Sequence, residues 1–207
     1  AWETLILPSR VRDYNPADLQ QLCHDGDIRI VGAGLAGTND PWVLLLPAEY
    51  AADLVPVEVE PPTLSPAARR IYDMMSGSPG GGFLFDSLVD QVGDPAATRA
   101  ALWELFDCGL VSPDSFAPLA ARLAQGKTAH RTSRTPARSR LRAGRPGRPG
   151  RQGRMGRIGR GYAGVIHQTP PDMTGRWGLS PIPTADPTSR SVALGEAWLD
   201  RYGVVTR

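Results

Sequence analysis

Residues 84–113 read LFDSLVDQVGDPAATRAALWELFDCGLVSP and decide the fold, because two short helices and the start of a strand follow one another there. Gly93 ends the first helix, which is predicted from Phe83 to Val92. Asp94, followed by a proline, is the predicted N-cap of the second. One face of this second helix is apolar before Gly109 ends it, through Ala100, Ala101, Leu102, Leu105 and Phe106.

A preceding helix from Ser65 to about Met75 gives three short helices in succession, and Phe116 to Leu123 can add one more. This order predicts a helix-turn-helix bundle over residues 65–125 that still needs a wing strand. TGRWGL at Thr174–Leu179 has the pattern of a strand, so we expect the wing strand within residues 174–182. The bundle and this strand together make one complete winged-helix unit.

The segment before the bundle resembles half of such a unit. Asn15 and Pro16 begin a short helix that Gly26 ends. Ile28–Val31 and Trp42–Leu46 are apolar runs joined by a Gly, Thr, Asn and Pro segment, which predicts a β-hairpin. We therefore expect a partial winged-helix unit at residues 1–54 and an extended, proline-rich linker at 55–64. A last helix, capped by Asp186, indicates the first helix of a further winged-helix unit at 183–207.

The charge of the chain is divided unevenly along its length. The formal net charge is only +2, yet 13 of the 23 cations lie between Arg122 and Arg160, and no Asp or Glu occurs from Ser115 to Pro171. Apolar periodicity is absent in this region, so little buried surface offsets the entropy of ordering it. We predict a disordered basic insert, Arg/Gly-rich, at residues 126–173. The predicted fold class is thus mainly α with small β, in tandem winged-helix modules that are partial, complete and partial.

The basic insert is the predicted nucleic-acid site. Arginine forks grip phosphate oxygens and stack on bases, and glycine lets the chain follow any backbone. A solubilising linker is the alternative reading, and a collagen-like helix is disfavoured because arginine recurs in every Gly triplet from Gly144 to Gly161. The candidate contact residues are Arg131, Arg134, Arg138, Arg140, Arg142, Arg145, Arg148, Arg151, Arg154, Arg157 and Arg160.

Two other glycine patterns imitate nucleotide-binding motifs. IVGAGLAG contains the G-x-G-x-x-G fingerprint at Gly32–Gly37, which would make the chain a dinucleotide-binding oxidoreductase if a helix followed the third glycine. The residues that follow instead predict a hairpin loop. Gly126, Lys127 and Thr128 resemble the end of a P-loop, but Ala121 stands where its first glycine belongs.

The composition limits the remaining functions. Glycine (23) and proline (20) are about a fifth of the chain, which disfavours a fully packed enzyme. Cys23 and Cys108 have no CxxC spacing and fit reduced, packed thiols, and no apolar run is long enough to cross a membrane. His24, His130 and His167 combine with no carboxylate pair at metal-ligand spacing. We predict no catalytic residue, no metal site and no cofactor in this chain, and a cytoplasmic location.

Four segments together resemble the C-terminal region of the large helicase-related (Lhr) proteins, which are superfamily 2 DNA helicases. They begin at Ala1 (AWETLILPSRVRDYN), at Leu84 (LFDSLVDQVGDPAATRAALWELFDCGL), at Gly175 (GRWGL) and at Asp186 (DPTSRSVALGEAWLDRYG). The resemblance implies a parent that unwinds DNA with an ATP-dependent motor, and a C-terminal array of winged-helix modules similar to a DNA glycosylase of the AlkZ type. It implies ATP and Mg²⁺ for the parent motor only.

The resemblance transfers structural positions and no catalytic residue, because the motor motifs match nothing here. Trp103, Leu105 and Trp177 match the family pattern, and we expect them to pack in the core. The other matching positions are Trp2, Pro8, Arg10, Arg12, Tyr14, Glu104, Gly175 and Arg176.

We therefore expect an accessory DNA-binding segment of an Lhr-type helicase that acts in DNA repair. Its partners would be single-stranded or duplex nucleic acid and the motor domains of the parent, and no membrane. The alternatives are a protein-docking module of the same helicase and the oxidoreductase indicated by Gly32–Gly37. Because the helix after Asp94 carries Arg99 against several acids, base readout by this helix is not expected.

Overall fold

The computed structural model describes residues 2–37, 40–56, 62–125, 169–184 and 186–203. A π-helical turn (Trp2–Ile6) precedes the first helix, and short 3-10 turns occur at Ala48–Tyr50 and Pro171–Met173. The described α-helices are α1 (Leu7–Arg10), α2 (Pro16–Asp25), α3 (Ala51–Leu54), α4 (Pro66–Ser76), α5 (Phe85–Val92), α6 (Pro95–Asp107), α7 (Ala117–Gln125) and α8 (Pro187–Tyr202). The described strands are β1 (Ile28–Gly37), β2 (Asp40–Pro47), β3 (Phe83–Leu84), β4 (Val111–Pro113) and β5 (Arg176–Leu179).

Side-chain caps set the starts of the four main helices that the sequence predicted. The carboxylate of Asp94 accepts hydrogen bonds from the first-turn amides of α6, and Asp186 does the same for α8. Asn15 caps α2 and Ser65 caps α4, and each of these helices begins with a proline. Such caps satisfy amides that have no partner inside the helix. The predicted starts of these helices are confirmed.

Two small antiparallel sheets accompany the helices. The hairpin β1–β2 pairs Ile28 with Pro47, which confirms the predicted hairpin. The second sheet has the strand order β3-β5-β4. Its central strand, β5, therefore follows the basic insert in the sequence, whereas both of its neighbours precede the insert. The predicted wing strand is present as β5. The predicted start of the next helix at Phe83 is wrong by two residues. Phe83 and Leu84 pair with β5, and the helix begins at Phe85.

The main core surrounds α6. Leu102, Leu105 and Phe106 have no exposed surface, and Trp177 from β5 is equally buried beside them. Trp103 is 8% exposed, so the predicted packing role of Trp103, Leu105 and Trp177 is confirmed. Burial of large apolar side chains of this kind contributes about 1.5–3 kcal/mol each to folding.

The core also crosses the predicted boundary between the first two units. Leu19, Cys23 and Ile30 belong to the same buried cluster as the residues of α4 to α7. All the described residues lie within one compact unit. The division into tandem modules stays a prediction, but α2 and β1 are held to the bundle by a shared apolar core.

The structure differs from the predicted end of the basic insert. Residues 126–168 lie outside the described residues, together with the disorder predicted for them. At the end of that range, Asp172 and Met173 have no exposed surface. The prediction places residues 169–173 in the insert, yet they belong to the folded unit. Within the described residues, no helix has the length and apolar character that crossing a bilayer requires.

The dinucleotide interpretation of Gly32–Gly37 is wrong. These glycines lie inside strand β1, and the chain returns as the antiparallel strand β2 from Asp40. A phosphate site of this type needs the free amides at the start of a helix after the third glycine, and a strand cannot provide them. Close packing explains the glycine at position 32 instead, because a Cβ atom there would lie 1.8 Å from the backbone oxygen of Phe106.

This contact predicts that Gly32→Ala destabilises the chain by about 1–3 kcal/mol or more, because β1 must move away from α6 to admit the methyl group. Urea unfolding followed by circular dichroism measures the change. Gly37→Ala is the matched control, because a Cβ atom at Gly37 has no neighbour within 4 Å. Equal stability of the two variants would contradict the close packing of β1 on α6.

Candidate nucleic-acid interface

The described part of the chain is acidic. It contains 10 arginines and 19 carboxylates, a formal charge of −9. A nucleic-acid backbone is repelled by such a surface unless a local basic patch compensates. The eleven arginines predicted to contact phosphate, from Arg131 to Arg160, all lie outside the described residues.

Helix α6 is the third helix of the predicted bundle and is a core element rather than an exposed reading helix. Its buried residues occur on several sides of the helix: Thr98, Ala101, Leu102, Trp103, Leu105 and Phe106. Its acids have internal partners, because Glu104 accepts a hydrogen bond of 2.6 Å from the backbone amide of Ser65 and Asp107 pairs with Arg122. Both acids of α6 are thus engaged within the fold, and the absence of base readout by α6 stays a prediction.

Helix α2 precedes the β1–β2 hairpin and is also poorly suited to phosphate contact. It buries Leu19 and Cys23 in the core and exposes Asp18 and Asp25. Gln21 donates hydrogen bonds of 2.8 Å to both carboxylate oxygens of Asp25. No lysine or arginine occurs in this helix, so its exposed surface has no cation to place against a backbone.

Residues from the two described segments that flank residues 126–168 meet at one indole ring. Before the insert, Arg122 stacks over Trp103 at 4.4 Å from the ring centroid. Its guanidinium forms a bidentate pair with Asp107, at 2.7 and 2.9 Å. After the insert, Asp172 accepts a hydrogen bond of 3.1 Å from Trp103 Nε1 and bonds to Arg99 Nε at 2.7 Å. We call these five residues the Trp103 clasp.

Apart from Arg99, the clasp residues are buried or nearly so, and their polar contacts therefore matter for stability. Asp172 has no exposed surface, and the side chains of Arg122 and Asp107 are 8% and 14% exposed. A buried charge that loses its partner is strongly destabilising, whereas an exposed pair contributes little. The Arg99 side chain is 40% exposed, so its bond to Asp172 is the less protected of the two ion pairs.

The sequence did not predict the clasp. Arg122 is the first cation of the basic stretch, yet it lies within the predicted helix Phe116–Leu123, and its side chain is buried in the folded unit. Asp172 is 69 positions from Trp103, and helical spacing gives no link across that distance. One signal was available, since Asp172 is the first carboxylate after Asp114 and ends a long acid-free stretch.

The transferred family positions at the start of the chain are mostly exposed. Arg10 and Arg12 are exposed, and the hydroxyl of Tyr14 is buried without a hydrogen-bond partner in the described residues. Arg176 on β5 is exposed and donates a hydrogen bond of 3.3 Å to the backbone oxygen of Gly82. The described residues contain no group of three or more His, Cys, Asp or Glu side chains that could hold a metal ion.

The buried thiol of Cys23 is not a reactive group. Burial raises the pKa of Cys23 to about 11, and the nearby carboxylate of Asp114 adds to the shift. A thiol is nucleophilic as the thiolate, so at neutral pH this cysteine is protonated and inert. The expected packed and reduced role of Cys23 is consistent with this environment.

The family model and the relatives that match this chain all belong to the large helicase-related proteins. The winged-helix domain model of the large helicase-related protein matches residues 1–48, which contain α2 and the β1–β2 hairpin. The whole chain is 32% identical to the Lhr helicase/uracil glycosylase of Escherichia coli K12 over 215 residues. It is 34% identical to the Lhr helicase/probable uracil glycosylase of Mycolicibacterium smegmatis over 221 residues. The chain spans about 13% of the length of each relative. It belongs to the large helicase-related family, as a winged-helix segment from the C-terminal region of these proteins.

Proposed function

We propose that this chain is an accessory nucleic-acid-binding segment of an Lhr-type helicase, and that the basic insert makes the phosphate contacts. The observation that carries the proposal is the separation of charge. Residues 127–168 contain 12 cations and no acid, whereas the described residues have a formal charge of −9. The winged-helix family and the relatives named as helicases support a nucleic-acid partner.

The chemistry of the insert suits contact without sequence readout. Eleven of its cations are arginines, whose planar guanidinium groups bind phosphate oxygens in pairs. Such contacts release condensed counterions, so affinity falls steeply as salt rises. The acidic folded unit repels the same backbone, so we assign the phosphate contacts to the insert. Single-stranded and duplex nucleic acid are both compatible with this mode.

The clasp gives the insert a defined attachment. Arg122, shortly before residues 127–168, and Asp172, shortly after them, both contact Trp103, so the clasp joins the two chain segments that flank the insert. Nucleic acid bound by the insert is then kept close to the folded unit, and the helicase to which the unit belongs gains a tether. Tethering of this kind raises the effective concentration of a second binding site.

The parent protein supplies the chemistry in this proposal. We assign ATP and Mg²⁺ to its motor, because the family's motor motifs match no residue of this chain. Unwinding of DNA, a role in DNA repair and a cytoplasmic location belong to the same proposal. The relatives are named as helicase and uracil glycosylase, and we propose no base-excising residue within this chain.

Protein docking is a second candidate, favoured by the exposed apolar side chains of α8. Ala193 packs inward against α3, whereas Val192, Trp198 and Leu199 are about half exposed on the same helix. A helix that is apolar on two sides usually has neighbours on both. The carboxylates of Asp53 and Glu196 line a groove beside it, and the carboxylates of Glu49 and Glu196 raise the pKa of Tyr50. The partner would be a basic amphipathic segment of the parent helicase.

Deletion of residues 131–160 is predicted to abolish salt-sensitive binding of oligonucleotides, because it removes the eleven arginines. Fluorescence anisotropy with labelled single-stranded DNA at about 50 and about 200 mM salt measures the affinity and its salt dependence. A variant with the same residues in scrambled order is the control and should bind like the original chain. Unchanged affinity after the deletion would refute the proposal.

The docking candidate predicts slower amide exchange over Pro187–Tyr202 in a helicase that carries this segment than in the isolated chain, because a partner covers α8. Hydrogen-exchange mass spectrometry measures the rates. Leu199→Ala in the same helicase should restore fast exchange, whereas Leu84→Ala, at a similarly exposed leucine on β3, should not. Identical rates in the two proteins would exclude a docked α8.

Arg122→Met is predicted to destabilise the folded unit by about 3–5 kcal/mol, because it leaves the Asp107 carboxylate without its partner in a buried site. Urea unfolding measures the loss, and Arg69→Met on the exposed side of α4 is the control. Adding Asp107→Asn to the first variant should recover part of the stability. The salt dependence of oligonucleotide binding should not change in folded Arg122→Met, since Arg122 is buried and contacts no phosphate.

A further inference from the structure

The β1–β2 hairpin exposes an aromatic ring near its tip. Trp42 lies on β2 with 62% of its surface exposed, directly after Pro41, which pairs with Leu35 of β1. Leu35 is 47% exposed. By contrast, Trp103 and Trp177 are buried and pack edge to face at 5.3 Å. Trp42 therefore contributes little to the core, and its exposure needs another reason.

The surroundings of Trp42 are small and open. A Cβ atom at Gly34 or Gly37 would have no neighbour within 4 Å, so the backbone near the tip is accessible to another molecule. The described residues of the hairpin tip from Val31 to Val43 include one charged residue, Asp40, and no cation. Any affinity at this tip must come from contact with a flat or apolar group rather than from phosphate attraction.

We propose that Trp42 is a stacking platform for an unpaired base of single-stranded nucleic acid. This inference rests on the proposed function, because the basic insert would bring the strand to the folded unit. A base fits the tip better than an apolar protein surface for two reasons. Each base offers a flat face that stacks on an indole without a matching pocket, and the bare glycine backbone leaves room for the sugar-phosphate chain.

The arginines of the insert and the ring of Trp42 would contribute to binding by different physical effects. The arginines of the insert supply a salt-dependent attraction that does not distinguish single strands from duplexes. Trp42 supplies a stacking contact that requires an unstacked base and changes little with salt. In this arrangement the β1–β2 hairpin gives the segment its preference for single strands.

The test compares Trp42→Ala with Trp42→Phe and Trp198→Ala in the complete chain. The probe is a labelled oligothymidylate of about twelve nucleotides, with a duplex of the same length in parallel. Trp42→Ala should weaken single-strand binding about 5- to 150-fold, the effect of losing one stacked base. Trp42→Phe should retain part of the affinity. Trp198→Ala removes an exposed ring from α8, 51% exposed, and should bind like the original chain.

Two further readouts separate stacking from folding and charge. The urea midpoint of Trp42→Ala should match that of the original chain, because the ring is mostly exposed. The slope of affinity against salt should also be unchanged, whereas deletion of residues 131–160 should reduce it. Duplex binding should fall less than single-strand binding.

The outcomes that overturn the inference differ from those that overturn the proposed function. If Trp42→Ala binds the single strand as tightly as the original chain, or if duplex binding falls equally, the stacking role is wrong and the insert can still bind phosphate. If the original chain binds no oligonucleotide at low salt, both the proposed function and the role of Trp42 are wrong.

Discussion

The burial of α6 is the constraint on which the rest of the fold depends. Its side chains fill the space between α4, α5, β1 and β5, and its indole at Trp103 carries the polar contacts of the clasp. Gly32 is required because β1 passes directly against the backbone of Phe106. Because much of α6 is buried, the proposed function assigns the nucleic-acid contacts to other parts of the chain.

The clasp explains how a long insert is tolerated inside a small domain. Closing a long loop costs little more free energy than closing a moderate one, because the entropy grows with the logarithm of length. The larger requirement is that the strand after the insert finds its place. Asp172 bonds to Arg99 and Trp103 of α6, and Trp177 of the central strand β5 packs edge to face on the same Trp103.

The charge distribution gives the folded unit and the insert separate roles in the proposed function. The unit is acidic, and its exposed apolar groups include Trp42 near the tip of the β1–β2 hairpin and Trp198 on α8. The insert carries the arginines. In the proposed function, this division lets the length and composition of the insert adjust the electrostatic attraction, while the described residues supply the buried cluster.

The sequence by itself determined the local elements: the caps at Asn15, Ser65, Asp94 and Asp186, the hairpin, and the strand at β5. Each is set by neighbours a few positions apart. Three facts came only from the tertiary structure. Arg122 is buried, Asp172 accepts a hydrogen bond from the indole on which Arg122 stacks, and the glycine at position 32 allows β1 to pack closely on α6. These facts depend on contacts between residues far apart in the chain, and periodicity carries no information about such contacts.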